Sequence, residues 1–231
     1  MNSTIWIEGV WEIHNCDTTN TKFIVSDHPI TTYNKCIFPL SKDCTYPRDA
    51  PIENLGTHTL YALSPTRLLV ITNLGLVRNP WVNHLKKREN PRSFAPTIFD
   101  FRHIQTGREM SEQDVLAVNY ILKLRARRYI AAAERDWLFP EKYLKSTMWN
   151  KLGSQFFLMP DPRKLTFSTE TLFGYEDGSS WGMDEYGRKP RIKDSDAERL
   201  RRVEWRSFQK HKNLWEAKFG KLSIQELKKY W

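Results

Sequence analysis

Tyr61-Ala62-Leu63-Ser64-Pro65-Thr66-Arg67-Leu68-Leu69-Val70-Ile71-Thr72-Asn73 reads as two apolar segments hinged at Ser64-Pro65. Branched and aromatic side chains suit the pleated surface of a sheet. Pro65 cannot donate to a ladder and marks the break. Strands are therefore expected at Thr59–Leu63 and Arg67–Thr72. Upstream, Phe23-Ile24-Val25 is a strand-like run that ends abruptly in Ser26-Asp27-His28-Pro29. Pro29 pushes His28 into an extended or turn conformation, so a carboxylate and an imidazole sit where a strand ends, a common place for working groups.

Further out, Lys22–Val25, Cys36–Leu40 and Thr97–His103 read as strands, separated by turn formers such as Asp17-Thr18-Thr19-Asn20 and Tyr46-Pro47-Arg48-Asp49-Ala50-Pro51. Near the start, Ile5, Ile7, Trp11 and Ile13 share one parity, while Trp6 and Val10 on the other imply a strand buried on both sides. Ser111 with Asp114 forms a capping box. Val115, Val118, Leu122, Ala126, Tyr129, Ala133 and Trp137 then recur at helical spacing, predicting a helix over Ser111–Trp137. A shorter helix is expected from Pro140 to Leu152, and a strand at Thr166–Tyr175. A loop rich in Gly, Asp and Ser should follow, up to Pro190. A final helix is expected from Asp194–Asp196 towards Gly220, and Ser223–Glu226 caps a short terminal one. The class is α+β: a mostly antiparallel sheet in the first hundred residues covered by a long helix, then a basic helical extension. The units are a core domain (1–153), a connecting segment (154–190) and the extension (191–231).

The chain has 231 residues, enough for a substantial core, and nine Trp with 40% hydrophobic residues exclude disorder throughout. The net charge of +9 favours acidic partners such as nucleic acid. From Pro190 to Trp231 there are twelve Lys/Arg against six Asp/Glu, so most of the excess lies there. The alternative reading of that tail is a solvated face. No apolar run approaches the ~20 residues of a spanning helix, no secretory segment opens the chain, and the three cysteines form no close pair. The expectation is a soluble cytoplasmic protein with reduced thiols and no membrane partner. The wide spacing of Cys16, Cys36 and Cys44 argues against a zinc site with His14. No Gly-rich phosphate loop, Gly-x-Ser-x-Gly elbow or His-Glu-x-x-His motif is present in the sequence.

Phe23–Pro29 with Ile30-Thr31, the Leu63-Ser64-Pro65 hinge, and Asn119-Tyr120 with Ala126-Arg127 together resemble the bacterial domain-of-unknown-function family 4238, over roughly residues 11–137. Members open with a segment carrying a His-x-Val-Pro motif that has no counterpart here. The resemblance therefore implies the later part of such a protein, as a fragment or a shortened variant. It implies a bacterial origin and supplies neither reaction nor cofactor.

Two functions follow. The first is a non-catalytic binding module contacting nucleic acid or a protein partner through basic and polar helix residues: Asn119, Arg125, Arg128, Arg199, Arg202 and Arg206. The alternative is a metal-assisted, nuclease-like hydrolase using Asp27, His28 and Arg127. Beside it stands the reading that Asp27 shapes a turn by accepting backbone N–H bonds, or pairs with Arg127. Asp100 and His103 form a second, weaker acidic–imidazole pair.

Overall fold

The computed structural model describes residues 6, 9–45, 49–88, 104–165, 171–183, 195–223 and 226. The Thr97–His103 strand and the Asp100–His103 pair lie outside them. The main sheet has five strands: β1 (Gly9–Asn15), β3 (Ile30–Tyr33), β4 (His58–Ser64), β5 (Arg67–Asn73) and β6 (Gln105–Glu109), in the order β3-β4-β5-β1-β6. Every neighbouring pair is antiparallel except β1 with β6. The hinge at Ser64-Pro65 is the turn of the β4–β5 hairpin, with Ser64 opposite Arg67. A short pair, β2 (Val25–Ser26) and β7 (Ile130–Ala131), and a hairpin, β8 (Thr171–Gly174) and β9 (Ser180–Met183), complete the strands. The fold is α+β.

One face of the sheet joins the main core. Leu60, Leu68 and Val70 meet Phe23, Ile24 and the helix residues Val115, Ala117, Val118, Ile121 and Leu122. On β1 the inward parity is Val10, Glu12 and His14, so the polar residues point in and Trp11 and Ile13 lie half-buried on the other side. The reason is a bulge in β6. Glu12 pairs with Gln105 and His14 with Arg108, so β6 spends one extra residue. Gly107 there has φ 83°, a left-handed backbone that a side chain disfavours. The bulge turns Arg108 inwards. It donates to the carbonyls of Met159 and Phe156, both at 2.5 Å, and to Glu12 Oε2 at 3.4 Å. His14 Nε2 lies 3.0 Å from the same carboxylate. Burial alone would raise the Glu12 pKa, but His14 and Arg108 outweigh it and hold the carboxyl below its usual range.

Three helices are described: α1 (Leu74–Arg78), α2 (Glu112–Arg125) and α3 (Ser195–Phe219). The capping box at Ser111 forms as expected, with Asp114 N–H donating to Ser111 Oγ and Ser111 N–H to Asp114. The helix is shorter than its periodicity implies. It stops at Ala126, where ψ turns to 143°. Beyond it the N–H groups of Arg127 and Arg128 go to the Asp27 carboxylate, and β7 pairs with β2. Tyr129, Ala133 and Trp137 keep the spacing without the helix, because tertiary pairing overrides local preference.

Three other expectations are corrected. The expected strand at Lys22–Val25 shrinks to Val25–Ser26. Phe23 N–H donates to Pro65 O, while Lys22 O and Ile24 N–H are taken by Asn119. Cys36–Leu40 is not a strand: Cys36 and Ile37 N–H groups return to Asn34, and the strand lies at Ile30–Tyr33 instead. Pro140–Leu152 forms two 3-10 turns, Pro140–Lys142 and Trp149–Lys151. Between them Gln113 takes Tyr143 O and Lys145 N–H, the groups a continuous helix would pair internally.

Helix α3 begins near the expected point and is docked on the body by one face. Phe208, His211 and Trp215 are buried, and Trp215 joins Leu76, Phe156 and Met159 in a second core cluster. Ser223 and Glu226 make the reciprocal bonds of a capping box. Among the described residues no helix is long and apolar enough to cross a membrane.

Candidate functional site

Asp27 ends β2 and accepts from the N–H groups of Arg127 and Arg128, both at 2.8 Å, while its own N–H donates to Tyr129 O. The N–H of Arg127 foremost, outweighing partial burial and helped by that of Arg128, holds the carboxyl below its usual 3.8. Asp27 therefore shapes the turn that follows α2, and Arg127 meets it through the backbone. A carboxylate whose pKa is lowered on folding stabilises the fold above the unfolded value, and that contribution is lost as pH falls through the folded value. Asp27→Asn should accordingly lower the melting temperature at about pH 7, with the gap to wild type closing as acid protonates Asp27. Thermal melts across that range check this, and a gap constant with pH would reject it.

His28 turns to a different partner. Its Nε2 lies 2.7 Å from Asp49 Oδ2, and Arg125 Nη2 contacts the other oxygen of the same carboxylate. Asp49 is fixed by reciprocal backbone bonds with Thr45. Among the described residues no hydroxyl or thiol hydrogen-bonds to the second ring nitrogen of His28. The arrangement ties the strand end, the loop at Asp49 and the last turn of α2 into one brace. Asp49 was legible only as a turn former. Its partners lie 21 and 76 residues away, and no local pattern couples them.

The remaining candidates separate. Asn119 is fully buried and clamps the chain before β2, its Oδ1 accepting from Ile24 N–H at 3.1 Å and its Nδ2 donating to Lys22 O at 2.8 Å. Arg125 is committed to Asp49. Arg127 and Arg128 are exposed. Of the hydrolase candidates, Asp27 takes the backbone N–H of Arg127 while His28 takes Asp49. Cys16 is buried, and its thiol donates to Pro65 O. Among the described residues no group of three His, Cys, Asp or Glu could hold a metal ion.

Arg199, Arg202 and Arg206 are exposed on α3 and continue through Lys210 and Asn213 at steps of three and four. At 100° per residue this row lies opposite Phe208, His211 and Trp215. Arg206, Lys210 and Asn213 of this row themselves line a shallow groove, together with Trp205, Gln209 and Leu214. Leu214 also borders a cavity of about 190 Å³, set between α3, the ends of β3 and β4, and the loop at Trp81. No sequence signal marks this cavity, since its walls come from positions 33 to 214.

Two of the cavity's histidines have settled roles. His211 Nδ1–H donates to Val77 O at 2.7 Å, and its Nε2 accepts from Trp215 Nε1–H at 2.9 Å. His58 is 5% exposed. The Thr72 hydroxyl donates to Leu158 O, so its oxygen accepts from His58 Nδ1–H at 2.9 Å. The remaining nitrogen, Nε2, is then an unprotonated acceptor. Burial, with His84, His14 and Lys35 near, pushes the His58 pKa down to about 3, which keeps the ring neutral.

No protein-family model, curated protein or solved structure matches the chain at a significant level.

Proposed function

We propose that this chain, whose motifs resemble family 4238, is a non-catalytic binding module that holds nucleic acid on the exposed face of α3. The carrying observation is the row Arg199, Arg202, Arg206 and Lys210, set opposite the face that packs on the body. A helix anchored from behind holds its cations in fixed register, and phosphate contacts by Lys and Arg supply most non-specific affinity. Trp205 is half-exposed beside the row and can stack on a base.

Deleting the tail would not test this reading, because it removes Trp215 from the core. Charge reversal on the outer face is the better experiment. Arg202→Glu, Arg206→Glu and Lys210→Glu together should abolish oligonucleotide binding at low salt while the protein stays folded by circular dichroism. The single changes should each lower the slope of log affinity against log salt by about 0.7–0.9. Fluorescence anisotropy with labelled single- and double-stranded oligonucleotides reads this. No binding by the wild type at about 50 mM salt, or unchanged binding by the triple variant, would overturn it.

A further inference from the structure

The cavity beside α3 is small, narrow and chemically specific. Its volume of about 190 Å³ falls short of the ~300–1,000 Å³ that drug-sized ligands fill, so it suits a single ring system. Tyr33, Trp81 and Phe157 contribute aromatic wall, and Lys35 lies at the side. His58 contributes one acceptor whose other nitrogen is already committed to Thr72. Leu214 is shared between the cavity and the α3 groove. Lys210 of the basic row stands 4.6 Å from the ring centre of Trp81. The basic row and the cavity therefore share a border at Lys210 and Leu214.

We infer that the cavity receives one unstacked nucleobase of a single strand held on α3, the base donating an N–H to His58 Nε2. This rests on the nucleic-acid reading above and adds to it that single strands are preferred. Bases splayed from a single strand are recognised in this manner, by aromatic contact and by hydrogen bonds to their edges. A duplex keeps its bases stacked and must first extrude one. A neutral acceptor at the cavity selects bases that offer an amino or imino hydrogen.

The test compares a short oligoadenylate with an abasic strand of equal length, so that phosphate contacts cancel. Wild type should bind the oligoadenylate about tenfold more tightly, the scale of one stacked base. Gln155→Trp, at the exposed rim, should block the cavity and erase that preference without touching the core. His58→Asn should erase it as well, since Asn keeps an N–H for Thr72 but has no counterpart of Nε2. Loss of the preference in Gln155→Trp, with abasic binding retained, supports the inference. Equal wild-type affinity for both strands, or a preference that survives Gln155→Trp, overturns it and leaves phosphate binding by α3 standing. If the wild type binds neither strand, the nucleic-acid reading fails and this inference falls with it.

Discussion

Trp215→Ala should destabilise the protein by about 3–5 kcal/mol, the usual cost of emptying a core aromatic site. Trp215 is 1% exposed. It meets Phe156 edge-on at 5.3 Å and Phe219 at 4.8 Å, and the Arg108 guanidinium lies 5.0 Å from its ring centre. Its indole N–H is the donor to His211 Nε2, so removing it also leaves a buried acceptor unpaired, at a further ~1–3 kcal/mol where nothing relaxes to fill the gap. Trp215→Phe keeps most of the packing and loses only that bond, so it should cost about 1–3 kcal/mol. Urea denaturation of both variants measures the two effects. A loss below about 1 kcal/mol for Trp215→Ala would mean that α3 is only loosely held on the body. The fixed register on which the nucleic-acid proposal depends would then be gone.

The parts of this fold that were legible in the sequence are those set by local chemistry. The Ser64-Pro65 hinge separates two strands because a proline and a short polar residue leave the chain little else to do. Ser111 starts a helix because its hydroxyl and the Asp114 carboxylate satisfy donors within the same turn. Helix α3 was expected to begin near Asp194–Asp196 and to run towards Gly220, and it spans Ser195–Phe219. The end of α2 was not legible, since the stripe runs on to Trp137 while the helix stops at Arg125. What stops it is Asp27, a hundred positions earlier, accepting the amides of Arg127 and Arg128. The inward parity of β1 was hidden for a similar reason. Glu12 is tolerated inside because a bulge at Gly107 delivers Arg108 to it and His14 lies against the same carboxylate. Of the candidate site residues, the sequence placed Asp27 at a strand end beside α2, but not the different partner that His28 takes. The partner that gathers His28 and Arg125 is Asp49, a residue that looks like any other turn aspartate.

Asp49→Ala should be the other strongly destabilising change, by about 3–5 kcal/mol, because it leaves a buried guanidinium without its counter-charge. The Arg125 side chain is 4% exposed and contacts one carboxylate oxygen, while His28 holds the other at 2.7 Å. Asp49→Asn removes the charge but keeps one acceptor, so it should fall between wild type and alanine. Much of the cost belongs to the stranded partner rather than to the lost attraction, since a buried pair replaced by apolar groups of similar volume is often neutral. Arg125→Met placed in the Asp49→Ala background should therefore restore a large share of the stability. Chemical denaturation of the two single variants and the double variant closes the cycle. Near-additive losses would show that Arg125 reaches water and that the brace contributes little. Recovery in the double variant would establish Asp49 as a structural clamp, joining the β2 end to α2 and leaving His28 no catalytic assignment through it.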